Sequence, residues 1–426
     1  VSSAPIEQRL LPDTALIEKS GELSIGGILV SDLAGQFGTP LFVYDEEHLR
    51  TRCREAVSVF GVGRVIYATK AFMCTAMARL AHEEGLLLDV ATGGELFVAL
   101  SAGVPAAQCV LHGNNKSDDE LHTAIREGVH HIVVDSFDEL ERIERIAAFL
   151  GSEPSVQIRV TPGVHAHTHE FISTGQDDSK FGFNLSNGDA AKAVNKARKS
   201  SKMNLAGVHF HIGSNVLDVQ HLGKAVESMV EFFAPLGLTD LTVGGGLGVA
   251  YTESEHAPTM QQWGVVVARA TSALPVGTRV YVEPGRAIVA AGAITVYRVG
   301  TIKHIPNVRT YVAVDGGMSD NPRPMMYDAQ YEAFLPARVG AMRSREVRVV
   351  GKHCESGDII INSARVPADV AVGDLLATPV TGAYGYSMAS NYNSITKPAV
   401  VFVRHGEARL VRRRETYEDL LHLDPS

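Results

Sequence analysis

Eight short apolar runs of this chain end on, or lead directly into, a polar side chain or a glycine. Lys70 follows Val65-Ile-Tyr-Ala-Thr, Asp89 follows Leu86-Leu-Leu, and His112 follows Val110-Leu. Asp135 ends Ile132-Val-Val, Arg159 lies within Gln157-Ile-Arg-Val, and His211 ends Val208-His-Phe. Gly244 follows Val243, and Glu283 ends Tyr281-Val. One polar residue closing a buried strand is more often a satisfied core group than a functional one. A whole series in order is better explained by a common mouth, where amine, carboxylate, imidazole and guanidinium groups meet. Acid–base and covalent chemistry is assembled from such groups.

A second signal concerns anions. Val243-Gly-Gly-Gly-Leu-Gly is a candidate phosphate cradle, because glycines let backbone N–H groups approach an anion closely. A tight strand-to-helix turn explains the same residues about as well. The stretch matches neither the P-loop nor the dinucleotide fingerprint. Glu283-Pro-Gly-Arg286 adds a backbone turn and a guanidinium, and His211-Ile-Gly-Ser214 adds a hydroxyl.

The elements that must position these groups are legible in the periodicity. From Val65 to Glu283 short, continuous, often β-branched runs alternate with amphipathic stretches such as Ser117–Gly128, Ser136–Leu150 and Val216–Leu236. Continuous apolar runs suit strands buried on both faces, and strand–helix alternation suits a parallel sheet. Ser117 and Ser136 stand where helix N-caps are expected. Eight such units predict a (β/α)₈ barrel over residues 46–290, with its functional face at the carboxyl ends of the strands. The glycine stretch then follows the seventh strand and Glu283 the eighth, where barrel phosphate sites recur. Beyond Val289 alternating runs such as Ala293-Ile-Thr-Val-Tyr-Arg-Val and Ala399-Val-Val-Phe-Val-Arg, parted by Gly, Pro and Asp, predict an antiparallel β-barrel or sandwich domain. That domain is expected to take residues 291–426 together with 1–45, where Pro40-Leu-Phe-Val-Tyr reads as a further strand.

At 426 residues the chain can bury more than one core. A net charge of −9 argues against nucleic acid or an anionic membrane as the main partner, though not against a local basic pocket. The four cysteines show no spacing for zinc or a disulfide framework. Val1 to Thr14 lacks the pattern of a secretory signal, and no apolar run approaches the roughly 20 residues of a membrane helix. A cytoplasmic location is expected. His165-Ala-His-Thr-His has some metal-ligand spacing, but no carboxylate completes a site. No metal is expected, and 166–180 is read as a candidate lid loop.

Tyr67-Ala-Thr-Lys70, His211-Ile-Gly-Ser-Asn, the glycines 244–246, Glu283-Pro-Gly-Arg, Cys354-Glu-Ser-Gly-Asp and Gly382-Ala-Tyr384 stand in the order found in the fold-type III pyridoxal-phosphate decarboxylases. With His112-Gly-Asn-Asn-Lys and Asp315-Gly-Gly-Met-Ser-Asp-Asn, the set most resembles the diaminopimelate decarboxylases, over nearly the whole chain. Asn215 departs from the pattern, since the family commonly has glutamine there.

The resemblance implies pyridoxal 5'-phosphate as cofactor and a role for each matching residue. Lys70 would hold the cofactor through a Schiff base, which needs a primary amine. Glu283 would pair with the pyridine nitrogen and keep it protonated, making the ring a strong electron sink and favouring decarboxylation over racemisation. His211 would stack on the ring. Ser214, Gly244, Gly245, Gly246, Pro284, Gly285, Arg286 and Tyr384 would surround the phosphate. Asp89 and Arg159 resemble a pair that steadies the lysine and cofactor region. Cys354, in a polar loop unlike the other thiols, resembles the general acid. In the family that loop and Tyr384 enter the site from a partner subunit, which implies a homodimer with shared sites.

Diaminopimelate carries a distal ammonium and a distal carboxylate. Arg323, in Asn321-Pro-Arg-Pro, together with Arg286 would grip the carboxylate, Glu355 the ammonium, and Tyr327 with Tyr384 would close the pocket. The implied reaction converts meso-2,6-diaminopimelate to L-lysine and CO₂. The rival readings are a decarboxylase for ornithine, a carboxynorspermidine-type or a carrier-tethered glutamyl substrate, and a non-catalytic pyridoxal-phosphate carrier. Such a carrier is typically one short barrel, which the long carboxyl-terminal region does not fit.

Overall fold

In the computed structural model the described residues are 5–163, 178–211 and 213–425, and they form two compact units. The first is a parallel barrel. Its strands are β1 (Ile66–Ala68), β2 (Leu87–Val90), β3 (Cys109–Leu111), β4 (His131–Val134), β5 (Ser155–Thr161), β6 (Asn204–Phe210), β7 (Asp240–Val243) and β8 (Arg279–Val282). Every neighbouring pair from β1 to β8 is parallel. A parallel bridge between Val65 and Val282 brings the last strand back to the first. The strands are short because each is one barrel stave, and they are apolar because both faces are covered, by interior side chains and by helices.

Local chemistry sets the helix limits. Ser117 caps Asp118–Glu127 in a capping box with Glu120, and the Ser136 hydroxyl accepts the Glu139 N–H at 3.1 Å to start Phe137–Leu150. Gly128 and Gly151 close these helices at φ of 73° and 65°, a left-handed conformation that glycine adopts without steric cost.

Side chains alternate across each strand, so the interior of the barrel can be read off by twos. Ile66, Leu87, Val110, Val133 and Tyr281 form one buried interior cluster. Two residues further along their strands stand Ala68, Asp89, His112, Asp135 and Glu283. The interior is thus apolar at mid-height and polar at the carboxyl-terminal mouth. The opposite end carries a polar cluster of its own, which the sequence reading passed over. Asp240 accepts from Arg279 at 2.8 Å and lies 3.3 Å from His131, whose other ring nitrogen is 2.8 Å from the Ser155 hydroxyl.

The second unit comprises residues 1–51, 249–256 and 288–426 and is built on an eight-stranded sheet. Leu41–Asp45 pairs antiparallel with Ala293–Ile305, so the amino-terminal strand completes this sheet rather than leading into the barrel. The sheet differs from the expectation of an antiparallel domain in being mixed. Arg309–Val314 runs parallel to Arg345–Val350, and Leu41–Asp45 runs parallel to Ala399–Arg404. Both pairs are joined through long intervening chain, which parallel neighbours require and local alternation does not reveal. Val249–His256, inside the barrel range expected from sequence, groups with this sheet unit. Most of the candidate lid and the histidine cluster at 165–169 lie outside the described residues. No helix among the described residues is long and apolar enough to cross a membrane.

Candidate active site

The carboxyl-terminal mouth of the barrel collects the candidates of that unit. Lys70 stands in the turn Thr69–Ala71 directly after β1, and its side chain is exposed. That turn is tied down on both sides: the Thr69 hydroxyl donates to the Asp89 carbonyl at 2.7 Å, and the Ala68 N–H donates to the Pro284 carbonyl at 3.2 Å. The Lys70 ammonium lies close enough to Asp89 and His211 to act on the titration of both.

Glu283, just past β8, is buried between two imidazoles. His209 Nε2 is 2.9 Å from Oε2, and His112 Nε2 is 3.1 Å from Oε1. The two rings lie edge to face, with centroids 4.9 Å apart. Burial alone would raise the Glu283 pKa, but His209 and His112 outweigh it and hold the carboxyl well below its ordinary range. Burial takes His209 down to about 4, so at neutral pH it acts on Glu283 as a neutral N–H donor. Burial also opposes a charge on His112, yet Asp89 and Glu283 together turn its shift upward. His112, His209 and Glu283 place three ligand-type atoms within 4.8 Å of one another, a spacing that would suit a small cation, but those atoms are already directed at each other.

The other polar strand ends pair with their neighbours. Arg159 faces Asp135 at 3.7 Å, and Asp89 faces His112 at 3.8 Å. Asp89 and Arg159 thus have different nearest partners, yet each still acts electrostatically on the other. Adjacent staves decide this: Val134 pairs with Ile158, which brings Asp135 and Arg159 side by side, whereas β2 neighbours β3 and so Asp89 meets His112. Burial raises the Asp89 pKa and lowers that of Arg159. His211, just past β6, is kept neutral by burial and by the cations Lys70 and Arg159.

Beside this group the backbone forms a close-packed cradle. A Cβ on Gly244 would strike His211, and one on Gly245 would strike the Glu283 carbonyl. Gly246 has φ of +111°, and a Cβ there would meet the Gly213 carbonyl at 2.8 Å. At Gly285 it would meet the Ala68 Cβ at 2.9 Å. Four glycines are thus required by approach of the main chain, as a phosphate cradle needs. Arg286 Nη2 donates to the Ser214 hydroxyl at 2.8 Å, bringing a guanidinium and a hydroxyl together. Asn215 sits at φ of 57°, a left-handed position that asparagine tolerates better than most side chains, so the departure from the family's glutamine has a local reason.

The remaining candidates belong to the sheet unit and form two groups. Arg323 is buried, with its guanidinium 4.1 Å from the Tyr251 ring centroid and 5.4 Å from that of Tyr331, to whose hydroxyl it donates. The groups that act on its charge among the described residues are tyrosines, Tyr251, Tyr331 and Tyr384. Tyr384, at φ of 58°, is near enough to contribute to the field at Arg323, and Tyr327 closes the same short helix, Arg323–Tyr327. The second group is the Cys354–Glu355 loop, whose two side chains are exposed. It is pinned from behind. Asp358 accepts from the N–H groups of Met318 (2.7 Å) and His353 (2.8 Å). Nε2 of His353 lies 2.8 Å from the Ser319 hydroxyl, and Asn393 Oδ1 accepts the Cys354 N–H at 3.1 Å.

His209 and Asn393 escaped the sequence reading. For His209 a signal existed: it stands two residues before His211, on the same side of one strand. For Asn393 there was none, since it reaches Cys354 across 39 positions of chain.

Fold and site together define a (β/α)₈ barrel with an amine, a doubly flanked carboxylate and an anion cradle at its mouth. Residues 46–290 match the family described as pyridoxal-dependent decarboxylase, pyridoxal binding domain. The diaminopimelate decarboxylase of Mycobacterium tuberculosis (strain ATCC 25618 / H37Rv) is 46% identical over 435 residues, covering 97% of this chain and 97% of that protein. The diaminopimelate decarboxylase of Bacillus subtilis (strain 168) is 44% identical over 431 residues, covering 97% and 98%. A crystal structure of diaminopimelate decarboxylase from M. jannaschii in co-complex with L-lysine superposes with a TM-score of 0.90 at 33% identity, covering 97% and 98%. The chain belongs to the pyridoxal-dependent decarboxylase family, among its diaminopimelate decarboxylases.

The residues present fit the pyridoxal phosphate of that family. The glycines have no room for a Cβ beside the Ser214–Arg286 pair. Glu283 Oε1, close to His112 but without a well-aligned hydrogen bond among the described residues, keeps a buried lone pair for a further donor.

Proposed function

We propose that the protein is a carboxy-lyase that converts meso-2,6-diaminopimelate to L-lysine and CO₂, the last step of lysine biosynthesis, with pyridoxal 5'-phosphate as cofactor. The observation that carries the substrate is Arg323: a buried guanidinium without a carboxylate among the described residues calls for an anion from outside the chain. A distal carboxylate distinguishes diaminopimelate from simple diamine precursors. The names of the relatives and the L-lysine in the M. jannaschii structure point the same way.

When bound, pyridoxal phosphate supplies a sink for the electron pair left on the α-carbon as CO₂ departs. The chain's residues do the rest. Lys70 would hold the cofactor covalently through its amine. Glu283, ionised, would accept from the protonated ring nitrogen and keep the proton there. His211, neutral, would lie against the ring. Ser214, Gly244, Gly245, Gly246, Pro284, Gly285, Arg286 and Tyr384 hold the phosphate. Asp89 and Arg159, through His112 and Asp135, fix the charge pattern around Lys70. Cys354 delivers a proton to the α-carbon from its thiol. Arg323 with Arg286 takes the distal carboxylate, Glu355 the distal ammonium, and Tyr327 and Tyr384 close over it.

The exposure of Cys354 and Glu355 supports a homodimer in which each sheet unit serves the partner's barrel. A cytoplasmic location fits a small-molecule biosynthetic enzyme.

The test is CO₂ release from meso-diaminopimelate, lysine, ornithine and arginine, together with the visible absorbance of the lysine-bound cofactor. Preference for diaminopimelate is expected, with absorbance and activity both lost in Lys70→Ala. Preference for ornithine or lysine would overturn the substrate. A folded protein that takes up cofactor but releases no CO₂ would favour the carrier reading.

A further inference from the structure

Two fully interior histidines flank Glu283. His112 is 6% exposed and His209 is 1% exposed, and they come from β-strand ends separated by nearly a hundred residues of chain. They converge on opposite oxygens of one carboxylate, 3.1 Å and 2.9 Å away. A buried carboxylate left alone drifts toward its neutral form, because burial penalises charge. A neutral Glu283 could not hold a proton on the ring nitrogen of a cofactor. The histidines oppose that drift from two sides: His209 by a hydrogen bond from a neutral ring, and His112 from 3.1 Å on the other oxygen, with Asp89 3.8 Å from the same ring nitrogen. Each touches one oxygen, so together they also fix the plane of the carboxyl group.

We propose that His112 and His209 are positioning residues that clamp Glu283 from both sides, fixing its orientation and its negative charge toward the ring nitrogen of pyridoxal phosphate. The proposal rests on the role given to Glu283 above. It distinguishes these imidazoles from His211, which faces the ring itself. It also accounts for a histidine two residues upstream of His211, and for the loop after β3. That loop is anchored by Lys116, which donates to the Gly113 carbonyl (2.7 Å), the Val133 carbonyl (2.6 Å) and Glu139 (2.7 Å). Fixing Gly113 in this way leaves its neighbour His112 little freedom to leave Glu283.

The test uses holoenzyme loaded with ring-¹⁵N pyridoxal phosphate, in which the nitrogen resonance reports whether the ring is protonated. His209→Leu and His112→Leu are expected to move the resonance toward the unprotonated position. Each is expected to lower kcat about ten- to hundredfold, the worth of one hydrogen bond to a charged group, with KM little changed. His209→Gln, whose amide can donate from nearly the position of Nε2, is expected to restore both readouts; a merely space-filling role would make it no better than leucine. If a leucine variant fails to fold, His112→Gln and His209→Gln compared with His209→Asn keep the volume polar and vary only the reach of the donor. Leucine variants that keep the wild-type resonance, while Glu283→Gln shifts it, overturn the clamp. A resonance unmoved by Glu283→Gln overturns the role of Glu283 instead, and the clamp with it.

Discussion

Replacing Arg323 by leucine separates recognition of a distal carboxylate from every other demand of the site. The guanidinium is only 6% exposed and lies against Tyr251 at 4.1 Å. Two hydrogen bonds to a carboxylate, each about 1.5–3 kcal/mol, would contribute about 3–6 kcal/mol, or roughly 10²–10⁴ in affinity. Arg286 shares the load in the proposed arrangement, so a loss near ~10² in kcat/KM for diaminopimelate is expected. Folding should suffer little. The change removes cation–π contacts worth about 1–2 kcal/mol but also an uncompensated buried charge, and apolar replacement of buried ions is often near neutral. The decisive comparison uses inhibitors. L-lysine retains the carboxylate that diaminopimelate presents distally, whereas cadaverine has the same two amines and none. Inhibition by lysine should weaken about as much as kcat/KM falls, while inhibition by cadaverine stays unchanged. Equal weakening of both would mean general damage to the pocket, and an unchanged lysine constant would remove Arg323 from substrate binding.

Three further outcomes are expected. Cys354→Ala should retain the cofactor's visible absorbance yet lose about 10²–10⁴ in turnover, the usual worth of a positioned acid; wild-type turnover would end its assignment. Asp320 is buried and accepts the Gly317 N–H at 2.6 Å, and burial raises its pKa from 3.8 to about 7. Its folded pKa is above the unfolded one, so its contribution is complete below pH ~4 and fades as pH rises through ~7, by about 4 kcal/mol in all. Urea titrations of Asp320→Asn should therefore show a flatter pH dependence than the wild type over that window, and parallel curves would contradict it. Lys116→Met would strand buried Glu139 and cost about 3–5 kcal/mol of stability in the same assay, with Lys116→Met/Glu139→Leu recovering much of the loss; an undisturbed single variant would show that the pair is not needed.

The barrel was legible because its staves are buried on both faces and therefore read as uninterrupted apolar runs, with the polar residue that ends each run marking the mouth. Ser117, Ser136, Gly128 and Gly151 were legible for a local reason, since caps depend on a few adjacent residues. The mixed character of the sheet was not. Leu41–Asp45 and Ala399–Arg404 are continuous, almost wholly buried runs compatible with either direction of pairing, and only the path of the intervening chain makes them parallel.

Within the site, legibility followed the pleat. Two carboxylates, an imidazole and a guanidinium at four successive strand ends cannot be paired from sequence, because pairing depends on which staves are neighbours and how far each is shifted. Because β3 and β4 stand between the strands of Asp89 and Arg159, each takes its nearest ion partner from an adjacent stave. Once the strand order is fixed, Asp89 finds His112 at 3.8 Å on an adjacent stave, and Arg159 finds Asp135 at 3.7 Å on another. The same order makes Glu283 the meeting point of His112 and His209. These histidines come from opposite directions around the barrel, His209 from β6 and His112 from just past β3, to meet the carboxylate. The charge on Glu283 is accordingly a property of the closed barrel, and no local segment of the chain carries the information for it.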